Sequence, residues 1–171
     1  MDKVLSTILL VVAAVICVTL VINAVYPAIT SSSGALSSVS ARMNERIKSQ
    51  IDIIHATGEL DSDGLWQDTN SNGYFDVFIW VKNIGTEEVV DVKRCDIFLN
   101  GDQTVWAWIP HNYYANGEYP QWDYEIENGT EWGIATTTRI EISYESPLSS
   151  GEYRIKVLIP NGVSDEYYFS M

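Results

Sequence analysis

Cysteine and histidine are scarce, with two of each in 171 residues. Cys17 lies in an apolar N-terminal run and Cys95 far along the acidic remainder. A disulfide between them would need a membrane-type helix to touch a strand interior, so both read as small apolar groups. His55 and His111 have no nucleophile motif around them. No Gly-x-Ser-x-Gly, Walker loop or His-Glu-x-x-His occurs. The carboxylate pair Glu125/Glu127 falls on one face of an expected strand and reads as a solvated edge rather than a glycosidase pair. An enzyme is therefore not expected. Basic residues are also few, 10 against 23 acidic, for a net charge of −13. Such a surface repels phosphate backbones and excludes nucleic acid as a partner, while suiting cations and open solvent.

The most consequential absence is local. Val4 to Ile29 carries no charged side chain over 26 residues. As a helix this run would be about 39 Å long at ~1.5 Å per residue, enough to cross a hydrocarbon core of ~30 Å. It is too long for a secretory signal, whose apolar core is ~7–15 residues, and no Ala-x-Ala-type site precedes a polar break. The run must sit in a bilayer or be buried by copies of itself. Val12 stands near its middle. Ser6, Thr7, Thr19 and Asn23 are its polar side chains; they can bond across helices or, for Ser and Thr, back to their own carbonyls. Asn23 is the most telling, because an unpaired amide in hydrocarbon costs roughly 2–7 kcal/mol.

Beyond Pro27 and the stretch Thr30 to Gly34, apolar residues continue at Leu36, Val39, Met43, Ile47, Ile51 and Ile54. Their spacing of three or four predicts one face of a helix continuing to about Ile54, with a bend at Pro27 or Gly34. This stalk either packs on its own domain or meets neighbouring helices. The expected division is residues 1–54 as a hydrophobic, then amphipathic, assembly helix and 55–171 as an outer domain. Charge follows that division: residues 1–50 sum to +2 and residues 51–171 to −15.

From Ile51 onward the periodicity shifts toward two. Strands are expected at 51–56, 75–81, 90–99, 104–109, 122–126, 136–144, 153–159 and 166–170. Turn residues separate them, including Lys82-Asn83-Ile84-Gly85, Asn100-Gly101-Asp102, Asn116-Gly117 and Asn128-Gly129. In the first of these the glycine is expected to need positive φ. Short strands so punctuated predict an Ig-like antiparallel β-sandwich, and with the helix an α+β chain. The aromatic stretch from Trp106 to Tyr124 offers either a sugar platform or, as preferred here, core filling and a subunit contact.

One loop carries chemistry. Asp68, Asn70, Asn72, Gly73, the Tyr74 carbonyl and Asp76 match the first nine positions of an EF-hand-type loop. Position twelve is Ile79 instead of Glu, so the missing carboxylate would come from Asp61 or Asp63. Ca²⁺ is the expected ion; the alternative is a turn of Asn and Asp side chains bonded to their own backbone. Asn128-Gly129-Thr130 is an acceptor for an N-linked glycan.

The layout resembles the archaellins, subunits of archaeal-type swimming filaments, and the membrane-anchored accessory proteins of the same motor. The residues that carry it are the helix Val4–Ile29, the segment Phe78 to Gly85 and the ending Ser150 to Gly162. The resemblance implies that helices of many subunits bundle in a filament core while sandwiches coat the outside, often with metal ions and glycans. Archaellin precursors carry a short charged leader, which Met1-Asp2-Lys3 does not show. The expectation is a homo-oligomeric, extracellular motility filament, membrane-inserted before assembly, with Val12, Asn23, Leu36, Val39, Met43 and Ile47 in its helical contacts. The alternative is a membrane-anchored stator-like accessory protein.

Overall fold

The structure is a computed structural model that describes residues 2–101 and 105–171, with the side chains of Asp2 and Glu45 left aside. Asp102 and Thr104, at the edges of an expected turn and strand, lie outside the described residues. The chain divides into two units, residues 1–44 and 45–171.

Helix α1 is continuous from Asp2 to Lys48 and holds Pro27 within it. Proline has no N–H to give, so the Asn23 carbonyl four residues earlier lacks its ladder partner. Hydroxyls fill in locally: Thr30 donates to the Tyr26 and Pro27 carbonyls, and Ser31 to those of Pro27 and Ala28. The helix stops at Lys48, six residues before the expected Ile54. The reason is that Ile51 and Ile53 satisfy a period of two as well as a helical stripe. In strand β1 (Ile51–Gly58) both are buried, with Asp52 and Ile54 exposed.

The second unit is a sandwich of two four-stranded antiparallel sheets. The first has the order β1, β2 (Phe75–Asn83), β6 (Thr137–Tyr144) and β5 (Gln121–Ile126). The second has the order β4 (Ala107–Ile109), β3 (Asp96–Asn100), β7 (Glu152–Leu158) and β8 (Ser164–Ser170). Alternation fills the interior. Val77, Ile79 and Val81 meet Ile140 and Ile142 within one sheet, and Ile97 and Leu99 meet Ile155 and Val157 within the other. Trp122 and Trp132 are both fully buried among them. The expected strand 90–99 shortens to β3, because Asp91 takes a left-handed φ of 55° and Val92–Arg94 form a 3-10 turn.

Two devices join the edges. A bulge in β1 between Ile53 and His55 takes the Ile53 N–H out of the ladder, and the Asp165 carboxylate of β8 accepts it at 2.8 Å. At the other end of β2, Asn83 is 0% exposed; its amide donates to the Glu87 and Trp132 carbonyls, and its oxygen accepts the Gly85 N–H. Gly85 is needed here for space rather than for positive φ. A Cβ on it would stand 2.4 Å from the Lys48 carbonyl oxygen and 2.6 Å from the Gln50 nitrogen.

Candidate functional site

Two parts of the molecule hold the residues singled out in the sequence: the helix and the loop between β1 and β2. On the helix, Val12, Leu36, Val39, Met43 and Ile47 are all exposed large apolar side chains. The helix is long and apolar enough to cross a membrane. Two hydroxyls in the apolar run bond within the helix, Thr7 on the Lys3 carbonyl and Thr19 on those of Val15 and Ile16. They therefore do not require a second helix. Asn23 is different: its carbonyl lacks the Pro27 N–H, and its amide is exposed. Val4 to Ile22 spans about 28 Å at ~1.5 Å per residue, so this polar notch sits one bilayer core from Lys3. Tyr26 follows one turn later, where an amphipathic ring suits a membrane interface.

In the loop, Asp and Asn side chains bond their own backbone. The Asp68 carboxylate accepts the Asn72 and Gly73 N–H groups at 3.2 and 2.9 Å. The Asn70 oxygen accepts Asn72 N–H at 3.0 Å, and the Asn72 oxygen accepts Tyr74 N–H at 2.8 Å. Gly73 has φ +83°, the sharp turn that its position demands. Both amide Nδ2 groups, of Asn70 and Asn72, donate to Asp76 Oδ2 at 2.8 Å. The ring of Tyr74 stacks on Tyr119 at 4.4 Å between centroids.

The carboxylate that meets this loop is neither Asp61 nor Asp63. Asp61 is used locally, accepting the Asp63 and Leu65 N–H groups. Glu59 takes the place instead, 3% exposed at the end of β1. Its Oε1 accepts Thr69 N–H, the Thr69 hydroxyl and Asn70 N–H, and its Oε2 accepts Asp76 N–H. Sequence reasoning missed it because Glu59 lies nine residues before the motif. The signal available was a lone carboxylate directly after a strand.

Glu141 on β6 is held above the usual carboxylate range, first by burial and then by the nearby charge of Asp76, with Arg139 opposing and Glu59 adding to the rise. Among the described residues no three His, Cys, Asp or Glu side chains form a metal-holding group. The loop's donors are mixed carboxylate, amide and carbonyl oxygens.

Other singled-out residues are placed plainly. Asn128 is exposed in a turn, its oxygen accepting Thr137 N–H at 2.7 Å. His111 is buried, and its Nδ1 accepts Tyr113 N–H to cap the short helix α2 (Asn112–Ala115). Burial lowers its pKa, opposed by Asp123 and assisted by Lys93. Cys95 is buried, and burial with Asp96 beside it pushes its thiol up to about 12. The aromatic stretch divides: Trp122 enters the core, while Trp108, Tyr113 and Tyr114 stay exposed.

A family model for archaeal-type flagellin matches residues 2–169, helix and sandwich together. The chain belongs to the archaeal-type flagellin family. The chain is 29% identical over 175 residues to a protein from Archaeoglobus fulgidus, spanning 98% of both chains. In fold it is similar to the archaellum periplasmic stator protein FlaG from Sulfolobus acidocaldarius. The TM-score is 0.54 at 20% identity, over 71% of this chain and 99% of that one. It is likewise similar to a chain of the FlaF and FlaG stator complex from the same organism. There the TM-score is 0.53 at 21% identity, over 70% of this chain and 88% of that one. The family places the chain among archaellum-related structural proteins, and the solved structures share its sandwich fold.

Proposed function

We propose that this chain is a membrane-anchored, stator-like accessory protein of the archaellum motor, with α1 as anchor and the acidic sandwich outside the cytoplasm. The observation that carries this reading is the fold match to a periplasmic stator protein over 99% of that chain. The helix supports it. Its Thr7 and Thr19 hydroxyls are satisfied internally, and its polar notch at Asn23 falls where a span begun at Lys3 would leave hydrocarbon. FlaG occurs in a complex with FlaF, so a second sandwich-bearing subunit of the motor is the partner proposed here.

The filament-subunit reading retains one specific observation in its favour. The family match runs through the helix, whose exposed stripe Leu36, Val39, Met43 and Ile47 suits neighbouring helices. Cell fractionation separates the two. The anchored protein is expected in membranes, released only by detergent and absent from sheared filaments. Recovery as the repeating subunit of sheared filaments would overturn it. Val12→Asp places a carboxylate at mid-span, at about 3 kcal/mol on insertion scales, and should deplete the membrane fraction while the sandwich stays folded.

A further inference from the structure

Asp76 is on the wrong face to be buried. In β2 the inward positions are Val77, Ile79 and Val81, so Asp76 points outward with Phe78 and Trp80. An outward carboxylate is ordinarily solvated. Here it is 0% exposed, met by the Asn70 and Asn72 amides, and its Oδ1 is buried without a hydrogen-bond partner. Glu59 is 3% exposed beside it, with Glu59 N–H donating to the Asp76 carbonyl. Among the described residues, no Lys, Arg or His forms an ion pair with either carboxylate. Hydrogen bonds serve Glu59 and Asp76 Oδ2, but the orphaned Asp76 Oδ1 carries a desolvation cost that a positive partner would offset.

The neighbouring groups say which partner. Three side chains converge on one point, because Asn70 and Asn72 each aim an amide N–H at Asp76 Oδ2. Those two N–H groups supply partial positive charge where a cation would supply more. Each amide also carries a carbonyl oxygen, and Asp68 and the Tyr74 main chain add further oxygens to the same loop. No sulfur or imidazole is among the loop's donors. An all-oxygen set of mixed charge on a pliable loop is the chemistry of Ca²⁺, not of Zn²⁺, and it is less suited to the strict octahedron of Mg²⁺.

We propose that residues 68–76 form a Ca²⁺ site ligated by Asp68, Asn70, Asn72, the Tyr74 carbonyl and Asp76. Asp76 Oδ1 is the buried oxygen that the ion satisfies, and Glu59 is the buried strut that holds the loop. Asn70 and Asn72 release Asp76 and turn their oxygens to the ion. Glu59 Oε1 is already saturated by three donors, so Glu59 acts through the backbone of Thr69, Asn70 and Asp76.

The test uses the full chain in detergent, stripped with EDTA and titrated with CaCl₂ by calorimetry. Tb³⁺ luminescence, sensitised by the stacked Tyr74 and Tyr119, gives a second readout. One Ca²⁺ per chain is expected, with a melting temperature that rises with Ca²⁺ and little response to equimolar Mg²⁺. Asp68→Asn, at the half-buried start of the loop, should weaken Ca²⁺ at least about tenfold by removing one ligand charge. Asp76→Asn should abolish the Tb³⁺ signal, and a melt without Ca²⁺ at least as high as that of the parent would confirm that this variant is folded. Absence of heat and of any melting shift up to millimolar CaCl₂ in the parent chain would overturn the proposal. So would unchanged Ca²⁺ binding in both variants.

Discussion

Replacing Asn83 by Ala tests whether the end of β2 is held by one side chain. The amide is 0% exposed and makes three hydrogen bonds, two given and one received. At about 1 kcal/mol each, net, the three sum to about 3 kcal/mol. Partners left behind decide whether that figure grows. Gly85 N–H keeps the Gln50 carbonyl at 3.0 Å, and the Trp132 carbonyl keeps Val89 N–H at 3.0 Å. Only the Glu87 carbonyl loses its sole named donor, so the estimate remains about 3 kcal/mol. Spread over a cooperative unit of residues 45–171, this lowers the melting temperature by about 10 °C. Asn83→Asp should be worse, because it sets a carboxylate oxygen against two carbonyl oxygens. The assay is thermal and urea denaturation of the full chain in detergent, followed by tryptophan fluorescence. A loss below about 1 kcal/mol for Asn83→Ala would refute the reasoning, since it would mean that the loops hold without the amide.

Gly85→Ala separates close approach from backbone freedom. Steric conflict with the Lys48 oxygen and Gln50 nitrogen predicts a loss of about 1–3 kcal/mol; a gain in stability, as an uncrowded Gly→Ala gives, would refute the packing argument. His111 supplies a pH dependence. Its folded pKa lies below the ordinary 6.5, so the unfolded chain binds the extra proton first. Stability is then full above about pH 6.5 and falls as acid is added toward the folded value. His111→Asn keeps a capping oxygen but cannot charge, so melting temperatures between pH 7.5 and 5.5 should fall less steeply than in the parent. Parallel slopes would remove His111 as the cause.

Much of this fold was legible because its strands alternate cleanly and end in residues with a mechanical reason to turn. Thr137–Tyr144 and Glu152–Leu158 were readable to within a residue or so at each end for that reason. The helix end was misread because Ile47, Ile51 and Ile54 satisfy a helical stripe by coincidence, while Ile51 and Ile53 satisfy a strand. Which period wins is set by the partner strand: Ile51 pairs with Asn83, a contact 32 residues away that no local window contains. The loop's side chains were legible as a motif, since Asx side chains at alternate positions act on their own backbone. Glu59 was not, because its role depends on β1 and β2 being neighbours. Gly85 was recognised as special for the wrong reason: the crowding comes from Lys48 and Gln50, far back in the chain.

The passage from helix to sandwich is only two residues long, Ser49 and Gln50. Three backbone bonds grip it: Ile84 and Gly85 N–H on the Gln50 carbonyl, and Thr86 N–H on the Lys48 carbonyl, at 2.7–3.0 Å. Lys48 adds an ion pair to Glu87 at 2.8 Å. A tug on Lys48 therefore enters the sandwich through a clamp rather than through slack chain. It passes directly into β1, whose rungs to β2 and whose Asp165 tie to the second sheet share the load. In mechanical terms the segment 48–50 is a stiff coupling into the edge of the first sheet.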